Sequence, residues 1–150
     1  SALEGASIPS WGANGPVYDT FRGAFETTYD LDPSLQGYLA HAYDLAFVSA
    51  LASIHANKNS GEINGNALAT GMKNLSSGEA YYLEAPNITA MVNALKNDGE
   101  INVFGATGEI DFDSEIGEPL NGVISITYIN NGAFVAEDVA PEACVAESDE

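Results

Sequence analysis

The amino-acid sequence predicts an α/β fold, with helices in the middle of the chain and strands towards both ends. Two observations support this class. Between residues 16 and 97, apolar residues recur at spacings of three and four, which is typical of helices that pack on a core. Near the C-terminus, two apolar runs flank Asn131-Gly132, a dipeptide that favours the tight turn of a β-hairpin.

The first part of the chain predicts a strand followed by an amphipathic helix. Residues 3–8 are small, apolar and compatible with a strand, which Pro9 should end. A loop rich in glycine and proline follows. Asn14 or Gly15 can then cap a helix whose first residue is Pro16 and which stops near Tyr29.

Residues 32–54 predict a central helix around which the rest of the chain packs. Asp32 can cap this helix, and Pro33 suits its first position because that position needs no N–H donor. Its apolar residues at helical spacing are Leu39, Tyr43, Phe47, Ala50, Leu51 and Ile54. We expect so apolar a helix to be covered on several sides. The polar, turn-rich run after residue 54 should be an exposed loop.

The remainder of the chain predicts two more helices and several strands. One helix carries Leu68, Met72 and Leu75, and another runs from a cap at Asn87 to Gly99. Short extended segments are expected at residues 81–83 and 109–113, and the hairpin completes the fold. After about residue 139 the sequence is acidic. We therefore expect one folded portion over residues 1–138 and a flexible acidic tail over residues 139–150.

The composition disfavours some classes of partner. The chain has 150 residues, of which 45% are hydrophobic, so it can form one domain with a core or part of a larger fold. Four basic against 22 acidic residues give a net charge of −18, which disfavours nucleic acid and anionic membrane surfaces as partners. The charge is best explained as a solvated exterior, suited to a salty or extracellular setting. The single cysteine, Cys144, is either a free thiol or has its partner on another segment.

No catalytic constellation stands out in the sequence, and no cofactor is expected. His41, Asp44 and His55 recur near one line of the central helix and could form a metal or acid–base cluster. A polar stripe with a local hydrogen bond explains them more simply.

A calcium site is a second possibility for the acidic segment of residues 111–118. Its oxygen donors are Asp111, Asp113, Glu115 and Glu118. Gly117 is one position late for a helix-loop-helix calcium loop, so a plain turn between strands is the preferred interpretation. The preceding stretch, residues 105–110, lacks the spacing of a phosphate-binding loop and should also be a turn.

Tyr38 is a candidate ligand-binding residue. It belongs to the first turns of the central helix and lies away from the azimuth of Tyr43, Phe47 and Ile54. An aromatic side chain beside the free N–H groups of a helix start can line a ligand cleft. The alternative is an ordinary packed tyrosine.

Several stretches, taken in order, resemble the C-terminal portion of type I periplasmic binding proteins, in particular the Leu/Ile/Val-binding class of ABC-transporter receptors. They include LEGASIPSW, QGYLAHAYDLAFVSALA, ALATGMKNL and INVFGATGEIDFDSEIGEPLNGVISITYINNGAFV. The most specific parts are AHAYDLAFVSALA and GATGEIDFD with the hairpin that follows. The resemblance extends from residue 3 to about residue 136 and corresponds to the last third of such a receptor.

The resemblance implies two α/β lobes with a ligand between them and closure by a hinge motion. Residues 3–9 would cross between the lobes, the helices up to about residue 75 would belong to one lobe, and the hairpin would return to the other. It also implies that Tyr38 contacts the ligand's side chain and that Trp11 is a weaker candidate for the cleft. The ligand would be an amino acid or a similar small polar solute.

The family resemblance also implies partners and a location. A binding protein of this kind is not an enzyme; it presents its ligand to a membrane permease, and a sensory module with the same fold is the alternative. By itself, a chain of this extent would lack most of the strands of both lobes and leave sheet edges and apolar helix faces unpaired, so we expect it to need the remaining N-terminal part of the receptor. Its location would be periplasmic or extracellular, with an anchor at the missing N-terminus as one option.

Overall fold

Four α-helices and two three-stranded sheets make up the computed structural model, which describes residues 3–35 and 37–139. The elements in chain order are β1 (Ser7–Trp11), α1 (Pro16–Tyr29), α2 (Leu39–Ser60), α3 (Gly65–Lys73), β2 (Glu79–Tyr82), α4 (Ala85–Lys96), β3 (Ile101–Gly105), β4 (Gly108–Glu109), β5 (Ile124–Asn130) and β6 (Ala133–Val139). None of the helices in these two ranges combines the length and apolar character that a bilayer crossing requires.

The two sheets differ in topology. In one, β2 and β3 are parallel and are joined through α4, while β4 turns back antiparallel to β3. In the other, β5 lies between β1 and β6 and is antiparallel to both. The first sheet therefore contains a βαβ unit, and the second joins the N-terminal strand to the C-terminal hairpin.

The core lies between the helices and the sheet β2–β3–β4. In β3, Ile101 and Val103 are fully buried and alternate with half-buried residues, as expected for a strand with one face on the core. Leu51 of α2 and Leu95 of α4 complete the same cluster. The Tyr43 hydroxyl donates to the Leu83 carbonyl at 3.0 Å, which ties α2 to the end of β2.

Helix α1 and the hairpin confirm the sequence predictions. Helix α1 begins at Pro16 and ends at Tyr29, with Gly15 at its N-cap. Asn131 and Gly132 form the hairpin turn with φ angles of 53° and 79°, the left-handed values that an Asn-Gly turn requires. The Glu4 carboxylate accepts hydrogen bonds from both of their N–H groups.

The central helix α2 begins and ends later than predicted. Pro33–Leu35 is a separate 3₁₀ turn, and Asp32 caps that turn by accepting from Ser34 N–H at 2.9 Å. The chain then passes through Tyr38 in a left-handed conformation before α2 begins. At the other end the polar residues continue the helix until Gly61, whose φ of 69° ends it.

The buried face of α2 is also displaced from the predicted one. The buried residues are Ala40, Asp44, Val48, Leu51, Ala52 and Ala56. Tyr43 and Phe47 are half-buried, while Leu45 and Ala50 are exposed, so the helix is covered mainly on one side. Small alanines and Asp44 occupy this face because α3 and the β3–β4 turn approach α2 closely there.

Strand β1 includes Pro9, which was expected to end it. Gly12 N–H donates to Val123 O, and the antiparallel alternation then places Pro9 and Ile126 in a non-hydrogen-bonded pair. Because β1 is also an edge strand, the missing N–H of Pro9 faces away from the ladder and costs no hydrogen bond.

Two further boundaries were predicted wrongly. Helix α4 begins at Ala85 rather than after Asn87, because Pro86 is accepted in its first turn. The strands of the middle region are β3 and β4, whereas Phe112 makes only an isolated bridge to Pro119. The turn predicted between residues 105 and 110 is present and connects β3 to β4. The predicted acidic tail from residue 140 onwards, with Cys144, lies outside the described residues.

Candidate functional site

A cleft of about 430 Å³ opens between the N-terminal half of α2 and the segment that follows β4. Trp11 at the end of β1 and Tyr38 at the start of α2 both line it. Its lining is mainly apolar and includes Leu45, Val48 and Met72. An apolar cleft with a few polar groups is the usual form of a small-molecule site.

The structure brings the two predicted site residues, Trp11 and Tyr38, to the same cleft. Their exposed fractions are 58% and 64%, so both rings offer free surface to a ligand. The Trp11 ring lies against Gly122, where an added Cβ would come within 2.8 Å of the ring. Both residues also line an adjoining polar cleft of about 190 Å³. Their contact with a ligand remains a prediction.

Tyr38 has an unusual backbone conformation. Its φ of 68° lies in the left-handed region, which costs a non-glycine residue roughly 1–2 kcal/mol. The Tyr38 ring makes an edge contact with His41, with ring centroids 5.6 Å apart. Among the described residues, the Tyr38 side chain at the N-cap accepts no hydrogen bond from the first N–H groups of α2, which lie beside the cleft.

Asp44 anchors the cleft wall. It is 4% exposed, and its carboxylate accepts from Ala106 N–H at 2.7 Å, Thr107 N–H at 2.8 Å and the Thr107 hydroxyl at 2.6 Å. Burial raises the pKa of Asp44, while these three donors act in the opposite direction. The carboxylate therefore holds α2 to the β3–β4 turn.

The stripe of His41, Asp44 and His55 does not form a cluster. Among the described residues, no three histidine, cysteine or acidic side chains are placed to share a metal ion. The prediction of a local hydrogen bond is also wrong for Asp44, because the donors to the Asp44 carboxylate lie in the β3–β4 turn, more than 60 residues away. His41 is half-buried, and desolvation lowers its pKa despite the nearby Asp44.

The acidic segment of residues 111–118 is organised as a turn. Asp113 Oδ1 accepts from the N–H groups of Glu115 and Ile116 at 2.8 and 2.9 Å, which lowers the pKa of Asp113. Its backbone closes the turn through Asp113 N–H to Glu118 O and Gly117 N–H to Asp113 O. This arrangement agrees with the plain turn that the sequence analysis preferred.

Asp111 and Glu109 contribute acidic groups to the cleft. Asn121 donates to Asp111 Oδ2 at 3.0 Å, and Asn102 donates to Glu109 Oε1 at 2.8 Å. Asp111 Oδ1 is buried without a hydrogen-bond partner in the part of the chain that the structure describes. Burial first, and then the Glu109 carboxylate, raise the pKa of Asp111.

The sequence analysis did not assign Thr107, Glu109 or Asp111 to the cleft. Thr107 was interpreted only as part of a turn, and Asp111 only as a possible calcium ligand. The odd-numbered residues of the segment after β4 are acidic and Ile110 and Phe112 are apolar, so the alternation was visible. No local pattern indicated that this segment packs near α2, where these residues line the same cleft as Tyr38.

The comparisons with known proteins support the fold. No family profile matches the sequence, and no curated protein resembles it in sequence. Among solved structures, a leucine-binding protein from Thermotoga maritima superimposes with a TM-score of 0.60 at 19% sequence identity. The match covers 95% of this chain and 33% of the Thermotoga protein, so the chain spans about a third of that protein's length.

This similarity confirms the predicted fold class. The chain is a mixed α/β structure with the fold of part of a type I periplasmic binding protein. At this level of identity the similarity establishes the fold alone. The Thermotoga protein is described as a leucine-binding protein, not as an enzyme.

Proposed function

We propose that this chain forms one wall of the ligand cleft in a solute-binding protein, and that it binds rather than catalyses. The observation that carries the proposal is the cleft of about 430 Å³ that Trp11 and Tyr38 line in a fold of this kind. An amino acid or a similar small solute would pack between the two rings. Ligand binding would favour the closed arrangement of the complete protein.

We propose the partners by analogy with this fold. The ligand would be delivered to the permease of an ABC importer, and the protein would be periplasmic or extracellular. The remaining N-terminal part of the receptor would cover the surface that this chain leaves open. Two apolar side chains on one face of the sheet β1–β5–β6 support this proposal. Ile8 and Phe134 pair with Thr127 and Ile129 of β5, which point to the same face, and both are more than 60% exposed.

Ligand binding can be tested with the single tryptophan. Because Trp11 is the chain's sole tryptophan and lines the cleft, its fluorescence reports directly on occupancy. We expect at least one member of a library of amino acids, amines, amides and carboxylates to change this fluorescence saturably and to raise the melting temperature. The Tyr38→Ala variant should bind that compound about tenfold more weakly, since an aromatic contact contributes roughly 1–1.5 kcal/mol.

Tyr29→Ala provides the matched control for Tyr38→Ala. Tyr29 ends α1, is 61% exposed and does not line the cleft, so its removal should leave the affinity unchanged. Equal loss in both variants, or no saturable compound in the whole library, would count against the proposed site.

The proposed N-terminal partner has its own measurement. Native mass spectrometry of the material purified from its source should show this chain in complex with a larger polypeptide that denaturation releases. A folded monomer of the chain alone would contradict that part of the proposal.

A further inference from the structure

We propose that the part of the ligand held at this wall is a protonated nitrogen on an apolar body, placed between the rings of Trp11 and Tyr38 and the carboxylates of Asp111 and Glu109. The inference rests on the proposed function and names the class of ligand for the same cleft. It concerns the charge of the ligand, which neither the fold nor the similarity to the Thermotoga protein specifies.

The charge of the cleft supports a cation. Asp44, Glu109 and Asp111 are acidic, and no lysine or arginine is among the described residues that line the cleft. Arg22 lies in the adjoining smaller cleft, and its guanidinium is already paired with Glu26 at 2.7 Å and with Asp32 at 3.2 Å. An anionic group in the main cleft would therefore meet like charge at this wall.

Two of the three carboxylates keep the capacity to accept further hydrogen bonds. Asp44 already accepts three hydrogen bonds from Ala106 and Thr107 and is only 4% exposed, so it has little capacity left for a ligand. Glu109 and Asp111 each have one side-chain amide donor, although an ionised carboxylate offers about four lone-pair positions. The enclosed Oδ1 of Asp111 has no donor, so a nearby positive charge would compensate a carboxylate that is only partly solvated.

The aromatic rings complete the arrangement. Trp11 contacts Gly122, which follows Asn121, the donor to Asp111, so a continuous path of contacts connects the tryptophan to the carboxylate. Tyr38 borders the same cleft from the start of α2. The faces of tryptophan and tyrosine attract cations, and the apolar lining of the cleft would contact the body that carries the charge.

The test uses compounds that share a phenyl-ethyl body and differ in charge. Phenethylamine, phenethyl alcohol and phenylpropionate are titrated against the protein as purified, with any polypeptide that copurifies with it, at about physiological ionic strength. Trp11 fluorescence and melting temperature are the readouts. We expect the amine to bind about tenfold or more tightly than the alcohol, and the carboxylate not to saturate, because one charge interaction in a partly desolvated site contributes over 1 kcal/mol. Ethylamine, which lacks the apolar body, should cause no saturable change.

Variants separate a local charge interaction from the attraction of the whole acidic protein. Asp111→Asn should weaken phenethylamine binding about tenfold and weaken the alcohol's binding much less, because the alcohol has no charge to lose. Glu115→Gln removes the same charge from an exposed residue outside the cleft and should change neither affinity. If Asp111→Asn does not fold, Glu109→Gln serves the same purpose on the neighbouring carboxylate.

Several results would overturn the inference. They are equal affinity for all three phenyl compounds, tighter binding of the carboxylate, an equal loss in Asp111→Asn and Glu115→Gln, or no binding of any probe. The proposed function has a separate outcome, because a neutral or anionic compound found in the library would keep the cleft as a binding site while refuting its preference for a cation.

Discussion

Asp44 connects two parts of the cleft wall through three hydrogen bonds, and its removal tests that connection. In Asp44→Ala, the N–H groups of Ala106 and Thr107 and the Thr107 hydroxyl lose their acceptor in a buried place. We expect the free energy of unfolding to fall by about 3 kcal/mol, as measured by urea denaturation.

Two comparisons make the Asp44 measurement specific. Thr107→Val removes only the hydroxyl donor and should cost about 1 kcal/mol. Glu115→Ala removes an exposed carboxylate and should change stability by less than about 0.5 kcal/mol. The anchor would be refuted if Asp44→Ala were as stable as Glu115→Ala.

The affinity for phenethylamine should depend on pH through Asp111. Burial and the Glu109 carboxylate raise the pKa of Asp111 above its ordinary value of 3.8. Protonation removes its charge while the amine stays protonated, so affinity should fall as pH decreases from about 7 through that raised pKa. Trp11 fluorescence titrations at several pH values measure this, with circular dichroism to verify that the chain remains folded.

Other titratable groups line the same cleft, so the pH titration needs Asp111→Asn as a control. Glu109 in β4 and His41 and Asp44 in α2 line it together with Asp111. The pH dependence of phenethylamine affinity that remains in Asp111→Asn measures the contribution of these other groups. An identical pH profile in the wild type and in Asp111→Asn would show that Asp111 does not carry the effect.

At the scale of the elements, α2 and α3 approach each other so closely that only glycine fits at Gly71. A Cβ added there would lie 2.5 Å from the Ala52 carbonyl oxygen, and the backbone cannot yield cheaply. We expect Gly71→Ala to lower the free energy of unfolding by about 3 kcal/mol. The displaced helices should also weaken ligand binding, because Met72 follows Gly71 and lines the cleft.

Gly23→Ala is the matched control for Gly71→Ala. Gly23 lies in the exposed middle of α1, and an added Cβ would meet nothing within 4 Å. Alanine should stabilise this helix by about 0.5–1 kcal/mol, since it restricts the unfolded chain. In thermal unfolding, glycine-to-alanine substitution should therefore lower the melting temperature at Gly71 and raise it at Gly23. A Gly71→Ala variant as stable as the wild type would contradict the close contact between α2 and α3.

At the scale of the whole molecule, a net charge of −18 opposes folding through mutual repulsion. Ion pairs of the described residues involve Arg22 and Lys58, which leaves most carboxylates without a basic partner. Raising NaCl from about 0.02 M to about 1 M shortens the screening length from over 20 Å to about 3 Å. We expect the melting temperature to rise by about 5 °C.

The salt prediction has a clear opposite outcome. A melting temperature that stays constant or falls would mean that repulsion among the acidic residues is already compensated. Comparing urea with guanidinium chloride provides a second measurement. At low concentration, guanidinium chloride should lower the free energy of unfolding less than its denaturing strength implies, because it is a salt and also screens the repulsion, whereas urea is uncharged.

Local sequence patterns predicted those elements whose signals act over a few residues. Helix α1 follows from Gly15-Pro16 and its apolar spacing, and the hairpin follows from Asn131-Gly132, because a cap and a turn depend on the conformations of single residues. The start of α2 was missed because Asp32 and Pro33 fit a 3₁₀ turn equally well. The left-handed Tyr38 that separates the turn from the helix is not expected of a tyrosine.

By itself, the sequence determined the α/β class, most of the helices, the hairpin and the acidic surface, since these depend on local periodicity, turn residues and composition. It also singled out Trp11 and Tyr38. Only the tertiary structure decided that these two share a cleft with Asp111, that Asp44 is an anchor, and that α2 buries its alanine face. The reason is physical: contacts between residues of different elements depend on how those elements pack, and local spacing does not encode that packing.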